Sequence, residues 1–179
     1  MNAKNHKDTT ENNANSGMKS ESISSDTRIV IVGASHAGIS FAENMRNNGF
    51  TGSLTLVDRQ KGGPMERPPL SKAFLLEETD QVNPMFLLKR GKWYKEKEIS
   101  LKHGVTVTEI NTTLQTVTLS DGEQLEFDKL VLATGAVPRT LPSTEGLANV
   151  FVLRQPDDAT AIRATARVVK SAVIIGGGY

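Results

Sequence analysis

Cysteine is absent from all 179 residues. That removes disulfide scaffolds, thiolate zinc sites, iron–sulfur ligation and redox-active dithiols. None is needed for stability, since a compact chain of this size hides roughly 70% of its unfolded surface. Also missing is any apolar window near the roughly 18 residues of a membrane span, and the amino terminus has no signal-like apolar run. Nor is one charge in excess: 21 Lys and Arg stand against 20 Asp and Glu, a net charge of +1. Such a balance provides no overall field for nucleic acid or an anionic membrane, so binding must come from a local site. The cytoplasm is the expected compartment.

Residues 1–26 hold only Met1, Ala3, Ala14, Met18 and Ile23 as apolar side chains and are expected to form a disordered tail. From Arg28 the pattern changes. Ile29, Val30, Ile31 and Val32 form a β-branched run ending at Gly33, as in a strand buried on both faces of a parallel sheet. Apolar residues at helical spacing predict a helix over His36 to Asn48, stopped by Gly49. A second strand over Ser53 to Val57 leads to Asp58, completing a strand–helix–strand unit.

Gly62 to Pro69 is too rich in Gly and Pro for a regular element and reads as an extended loop, after which Ser71 is expected to cap a short helix through Leu76. A connector over Asn83 to Leu88 leads to a helix over Gly91 to Glu98. Three short strands follow, over Val105 to Ile110, Gln115 to Leu119 and Glu123 to Phe127, with Asp121-Gly122 turning the last pair into a hairpin. Leu130 to Ala133 reads as another buried strand, Asp157 to Val169 as a helix, and Ala172 to Ile175 as a final buried strand before Gly176, Gly177 and Gly178.

Three segments carry chemistry. Gly33-Ala34-Ser35-His36-Ala37-Gly38 follows a strand and opens a helix, and Asp58 stands twenty residues beyond Gly38 at the end of the next strand. This context is a dinucleotide fingerprint: a tight glycine turn, helix N–H groups for a pyrophosphate, and a carboxylate for a ribose hydroxyl. Ser35 departs from it, standing where a glycine usually allows close backbone approach. The His36 side chain either donates to phosphate or is incidental to its backbone N–H. Arg59 offers an alternative to Asp58 by accepting a 2′-phosphate, which would make the unit an NADP site.

In Glu66-Arg67-Pro68-Pro69-Leu70-Ser71-Lys72, two prolines fix an extended approach, and Lys72 is expected to project from the first turn of the following helix. A lysine there is either solvated or held beside a bound group, where its charge would tune a cofactor. The third segment, Leu130 to Arg139, places the small residues Ala133, Thr134 and Gly135 at the carboxyl end of a strand, with Arg139 available for phosphate or ring-edge oxygens. The alternative is a plain exit from a strand.

These segments, in this order and followed by Val173-Ile174-Ile175-Gly176-Gly177-Gly178-Tyr179, resemble the flavoprotein ferredoxin reductases, the group of rubredoxin and putidaredoxin reductases and apoptosis-inducing factor. The resemblance covers Arg28 to Tyr179. It implies an α/β, Rossmann-like FAD/NAD(P)-binding fold with a small antiparallel β-meander insertion. Residues 27–145 would be an FAD-binding domain lacking its returning carboxyl-terminal segment, and residues 146–179 a connector and the first strand of a truncated NAD(P)-binding domain.

By motif position, Gly33, Ser35, His36, Ala37 and Gly38 would surround the FAD pyrophosphate. Asp58 or Arg59 would meet the adenosine ribose, Val107 the adenine, and Arg67 and Lys72 the flavin side. Ala133, Thr134, Gly135 and Arg139 would line the cofactor from the other side, and Gly176 and Gly178 would open the NAD(P)H turn. The implied activity passes electrons from NAD(P)H through FAD to a ferredoxin, rubredoxin or Rieske-type carrier. A chain of this extent is not expected to turn over NAD(P)H, and a non-catalytic FAD or adenine-dinucleotide module is the rival reading. Met65 stands where the family often has tyrosine. The family's cysteine-using cousins are excluded by the absence of that residue.

Overall fold

The computed structural model describes residues 24–78 and 83–176. Most of the expected tail, residues 1–23, lies outside that range, and Ser24 to Asp26 are exposed. In chain order the elements are β1 (Arg28–Val32), α1 (His36–Asn47), β2 (Ser53–Asp58), α2 (Ala73–Leu76), α3 (Gly91–Glu96), β3 (Ile99–His103), β4 (Val107–Asn111), β5 (Thr116–Leu119), β6 (Gln124–Glu126), β7 (Lys129–Leu132) and α4 (Pro156–Ala166).

Two sheets result. Four parallel strands lie in the order β3-β2-β1-β7, with Val30 opposite both Thr55 and Leu130, and β4-β5-β6 form an antiparallel meander. The meander turns at Asp121-Gly122 as its sequence predicts. β1 is apolar at every position after Arg28 because both of its faces are covered. Ile29 and Ile31 pack with Leu54, Leu56 and Ile99 under α1, whose Ile39 and Ala42 are buried, and under Tyr94 of α3. Val30 points the other way, with Val57, onto Val117, Leu119 and Phe127 of the meander side. Burying each such side chain contributes about 1.5–3 kcal/mol, so these two faces supply the main drive for the fold.

A third, smaller core gathers Met65, Leu70, Phe74, Phe86 and Ala159. It seats α4 against the proline loop and α2. Among the described residues no helix is long and apolar enough to cross a membrane.

Four expectations need correction. β3 was not expected: the spacing placed a helix to Glu98 and the next strand at Val105. Ile99-Ser100-Leu101-Lys102-His103 alternates with period two, and Glu98, at a φ of +50°, turns the chain into it. The Arg46 guanidinium caps the junction by donating to the carbonyls of Lys97, Glu98, Phe50 and Gly52 at 2.7–2.9 Å. Second, the strand over Leu130 to Ala133 is only partly covered: Leu132 is 63% exposed, and among the described residues no strand pairs with the outer side of β7.

Third, Ser71 does not cap a helix. Pro68–Ser71 close a 3-10 turn, and Lys72, with φ −131° and ψ −113°, interrupts the chain before α2 begins. Two consecutive prolines set up the tight turn before a regular helix can start. Fourth, Ala172 to Ile175 form no strand: Val173, Ile174 and Ile175 are 89, 88 and 75% exposed and pair with no strand among the described residues. A continuous apolar run becomes a buried strand only where neighbours on both sides and covers on both faces exist.

Candidate functional site

Parallel pairing brings the carboxyl ends of β1, β2 and β7 to one edge of the sheet, where doubly wound folds open a crevice. A groove of about 240 Å³ lies over that edge. Its floor is the turn from Val32 to Ser35. Val57, Asp58 and Arg59 form one side, together with Val105, Thr106 and Val107, which enter the meander; Ala133 to Ala136, leaving β7, form another. Arg67 from the proline loop and Arg154 and Gln155, preceding α4, close it.

The turn has no room for a side chain. Gly33 has a φ of +105° and donates its N–H to the Val57 carbonyl at 2.8 Å; a Cβ there would fall inside the van der Waals envelope of the Ala133 carbonyl. Gly38, in the first turn of α1, sits against the Gly33 carbonyl with equally little space. The first N–H groups of α1 have no intrahelical partners, and the Ser35 side chain makes no capping bond to them. The start of α1 therefore offers unpaired backbone N–H groups and the positive end of the helix dipole next to the groove, whose lining includes Ser35.

The charges are lopsided. The Asp58 carboxylate accepts from Gln60 N at 2.9 Å and from Ala34 N at 3.3 Å, which ties the end of β2 to the glycine turn. Around it stand three guanidiniums, on Arg59, Arg67 and Arg154. Arg67 Nη1 donates to the Arg154 carbonyl at 2.6 Å. Burial, then the neighbouring Arg154 charge, pushes the Arg67 pKa down, while Asp58 and Asp158 pull the other way. An arginine remains charged at any physiological pH, so the groove carries an excess of positive charge beside free amides. That is the chemistry of a phosphate or diphosphate site, and the residues present fit the pyrophosphate of a dinucleotide. No cluster of metal-ligating side chains occurs among the described residues.

Residues 27–179 match the family of pyridine nucleotide-disulphide oxidoreductases. The chain belongs to this family. Within the pyridine nucleotide-disulphide oxidoreductases it is 40% identical, over 153 residues, to the ferredoxin–NAD(+) reductase component of the p-cumate 2,3-dioxygenase system of Pseudomonas putida, covering 85% of this chain and 37% of that protein. Rhodocoxin reductase of Rhodococcus erythropolis is 37% identical over 152 residues, covering 84% and 35% respectively. Among solved structures, the covalent putidaredoxin reductase–putidaredoxin complex is similar with a TM-score of 0.69 at 38% identity, over 79% of this chain and 34% of that one. The chain thus spans about a third of the length of these relatives. They bear out the resemblance read from the four motifs and the Rossmann-like α/β fold.

Of the residues the sequence singled out in this pyridine nucleotide-disulphide oxidoreductase, the groove gathers Gly33, Ser35, Asp58, Arg59, Arg67, Val107, Ala133, Thr134 and Gly135. His36 and Ala37 are exposed on the first turn of α1 and, like buried Gly38, are not part of its lining. Lys72 is exposed between the 3-10 turn and α2, and its side chain has no partner among the described residues. Arg139 and Gly176 are exposed away from the lining, and Gly178 lies outside the described residues.

Met65, in the position often held by tyrosine, is 1% exposed and packs in the small core with Phe74 and Phe86. Sequence reasoning missed Val105, Thr106, Ala136, Arg154 and Gln155. For Arg154 a signal existed: a cation immediately before the helix start Gln155-Pro156-Asp157-Asp158 is unfavourable for the helix dipole and asks for a reason.

Proposed function

We propose that this chain is the FAD-binding part of a cytoplasmic reductase that passes electrons from NAD(P)H through FAD to a ferredoxin, rubredoxin or Rieske-type carrier. The observation that carries this reading is the groove itself: a glycine turn leading into an uncapped helix start, at the carboxyl edge of a parallel sheet, with three arginines and one aspartate in its lining. Its family membership and its reductase relatives support the same direction.

FAD, when bound, supplies the conversion of a two-electron hydride input into single-electron output. The chain's own residues bind and orient. Gly33 makes the close turn, and the helix-start amides of Ser35, His36, Ala37 and Gly38 meet the pyrophosphate, with Arg154 neutralising its charge. Asp58 accepts from the ribose hydroxyl, Arg59 standing beside it as the alternative contact. Val107 meets the adenine, and Ala133, Thr134 and Gly135 allow close approach along β7. Arg67, Lys72 and Arg139 serve the flavin side, and Gly176 with Gly178 begins the NAD(P)H turn. In domain terms, residues 27–145 hold FAD, and residues 146–179 connect to a nicotinamide-nucleotide domain.

A second reading, a dinucleotide-binding module without catalysis, is favoured by one observation: Lys72 lies exposed outside the groove lining. Flavin absorbance after gel filtration with FAD tests both. Stoichiometric yellow protein is expected, and colourless protein overturns the FAD assignment. Bleaching of the bound flavin by NADH would favour the enzyme over the module. Colourless protein that binds NADPH would revive Arg59 as the contact to a 2′-phosphate.

A further inference from the structure

The sheet does not make the far wall of the groove; residues just before α4 do, more than a hundred residues from the glycine turn. Three contacts hold this wall. Asp158 Oδ2 accepts from the backbone N–H of both Arg154 and Gln155 at 2.8 Å. Arg67 donates to the Arg154 carbonyl at 2.6 Å. Ala159, fully buried, seats α4 in the small core with Phe74.

The Arg154 backbone is therefore fixed at both its N–H and its C=O. Its guanidinium lies beside Gly135, where Nη2 would be 3.5 Å from a Cβ on that residue. Arg59 and Arg67 line the same groove and repel it, Asp58 attracts it, and its main chain is held by the contacts above.

We propose that Asp158 is a positioning residue for anion binding: by pinning the Arg154–Gln155 backbone it keeps the Arg154 guanidinium in the groove and makes the start of α4 the second wall of a diphosphate clamp. This rests on the nucleotide reading of the groove. Asp158 is partly buried and does not line the groove, so it acts through Arg154. The bland alternative is a first-turn acid that stabilises α4 and nothing more.

The two differ in a double-mutant cycle on the full chain. Calorimetric titration with FAD, ADP and inorganic pyrophosphate would compare wild type, Asp158→Ala, Asp158→Asn, Arg154→Ala and the double variant Arg154→Ala/Asp158→Ala. Asp158→Ala is expected to weaken FAD and ADP binding about tenfold, while Asp158→Asn, which keeps an acceptor oxygen, stays within about threefold of wild type. In the Arg154→Ala background, Asp158→Ala should lower Tm but leave affinity unchanged.

An equal loss of affinity in both backgrounds, or a lowered Tm with wild-type affinity in the single variant, overturns the proposal. Should Asp158→Ala fail to fold, the cycle is read with Asp158→Leu, which keeps a side chain of similar size and removes the acceptor. A wild-type chain that takes up neither FAD nor ADP overturns the nucleotide reading instead. The pyrophosphate arm then decides the role of Asp158: an effect that vanishes with Arg154→Ala supports it, and none at all overturns it.

Discussion

Two stretches of this chain look alike on paper, Ile29-Val30-Ile31-Val32-Gly33 and Val173-Ile174-Ile175-Gly176, each an apolar run ending in glycine. The first is the centre of the sheet, with Ile31 wholly buried; in the second, Ile174 is 88% exposed. Their glycines diverge in the same way. Both adopt positive φ, +105° at Gly33 and +94° at Gly176, yet Gly33 is walled in by the Ala133 backbone, whereas a Cβ on Gly176 would have nothing within 4 Å. Local pattern sets which conformations a segment favours; burial depends on what the rest of the chain brings alongside.

The largest expected difference is at the glycines. Gly33→Val combines an unfavourable φ with a backbone clash and should cost at least about 4 kcal/mol, or abolish folding, as read by chemical denaturation. Ile31→Ala comes next, at about 3 kcal/mol, from lost transfer energy and a cavity between two covered faces. A stability within experimental error of wild type for either variant would mean that β1 is not the structural centre.

An effect that acid exposes follows at the start of β1. Hydrogen bonds from the Arg28 side chain and backbone hold the Asp128 carboxyl down at about 2, against about 4 in the unfolded chain. Because the folded value is the lower one, this contribution is present above about pH 4 and is lost as the pH falls through 4 towards 2. Wild type should therefore lose more Tm over that interval than Asp128→Asn; parallel acid limbs would contradict the anchor.

The smallest changes belong to the second stretch. Gly176→Ala should cost about 1–2 kcal/mol at most, since only the backbone angle opposes it. Ile174→Ser should fall within about 0.5 kcal/mol of wild type by the same denaturation measurement. A loss comparable to that of Ile31→Ala would show that this run is covered in solution.

Much of the architecture was legible in advance because it is encoded over short distances. Strand β1, helix α1 and strand β2 each follow from their own periodicity, and Asp121-Gly122 marks the hairpin without help from elsewhere. The misses have a common cause. Residues 99–103 carry no assignment in the sequence because their alternation is brief, and they become β3 when β2 offers a parallel edge; β7 reads as buried because its residues do not reveal that, among the described residues, it lies at the sheet margin. Ser71 looked like a helix cap, but the preceding prolines closed a different turn first.

For the candidate site, the residues along the strand ends were readable from spacing: a glycine turn, an acid twenty residues on, and small residues leaving a later strand. The amino-acid order thus determined the dinucleotide fingerprint, the parallel core and the family, since each depends on neighbours within a few turns of chain. Folding in three dimensions settled which cations share the groove, placed Lys72 and Arg139 outside its lining and brought Arg154 within it. Charge balance in a groove is a sum over segments that meet through packing, here Ala159 against Phe74 and Arg67 against the Arg154 carbonyl, and no local pattern encodes that meeting.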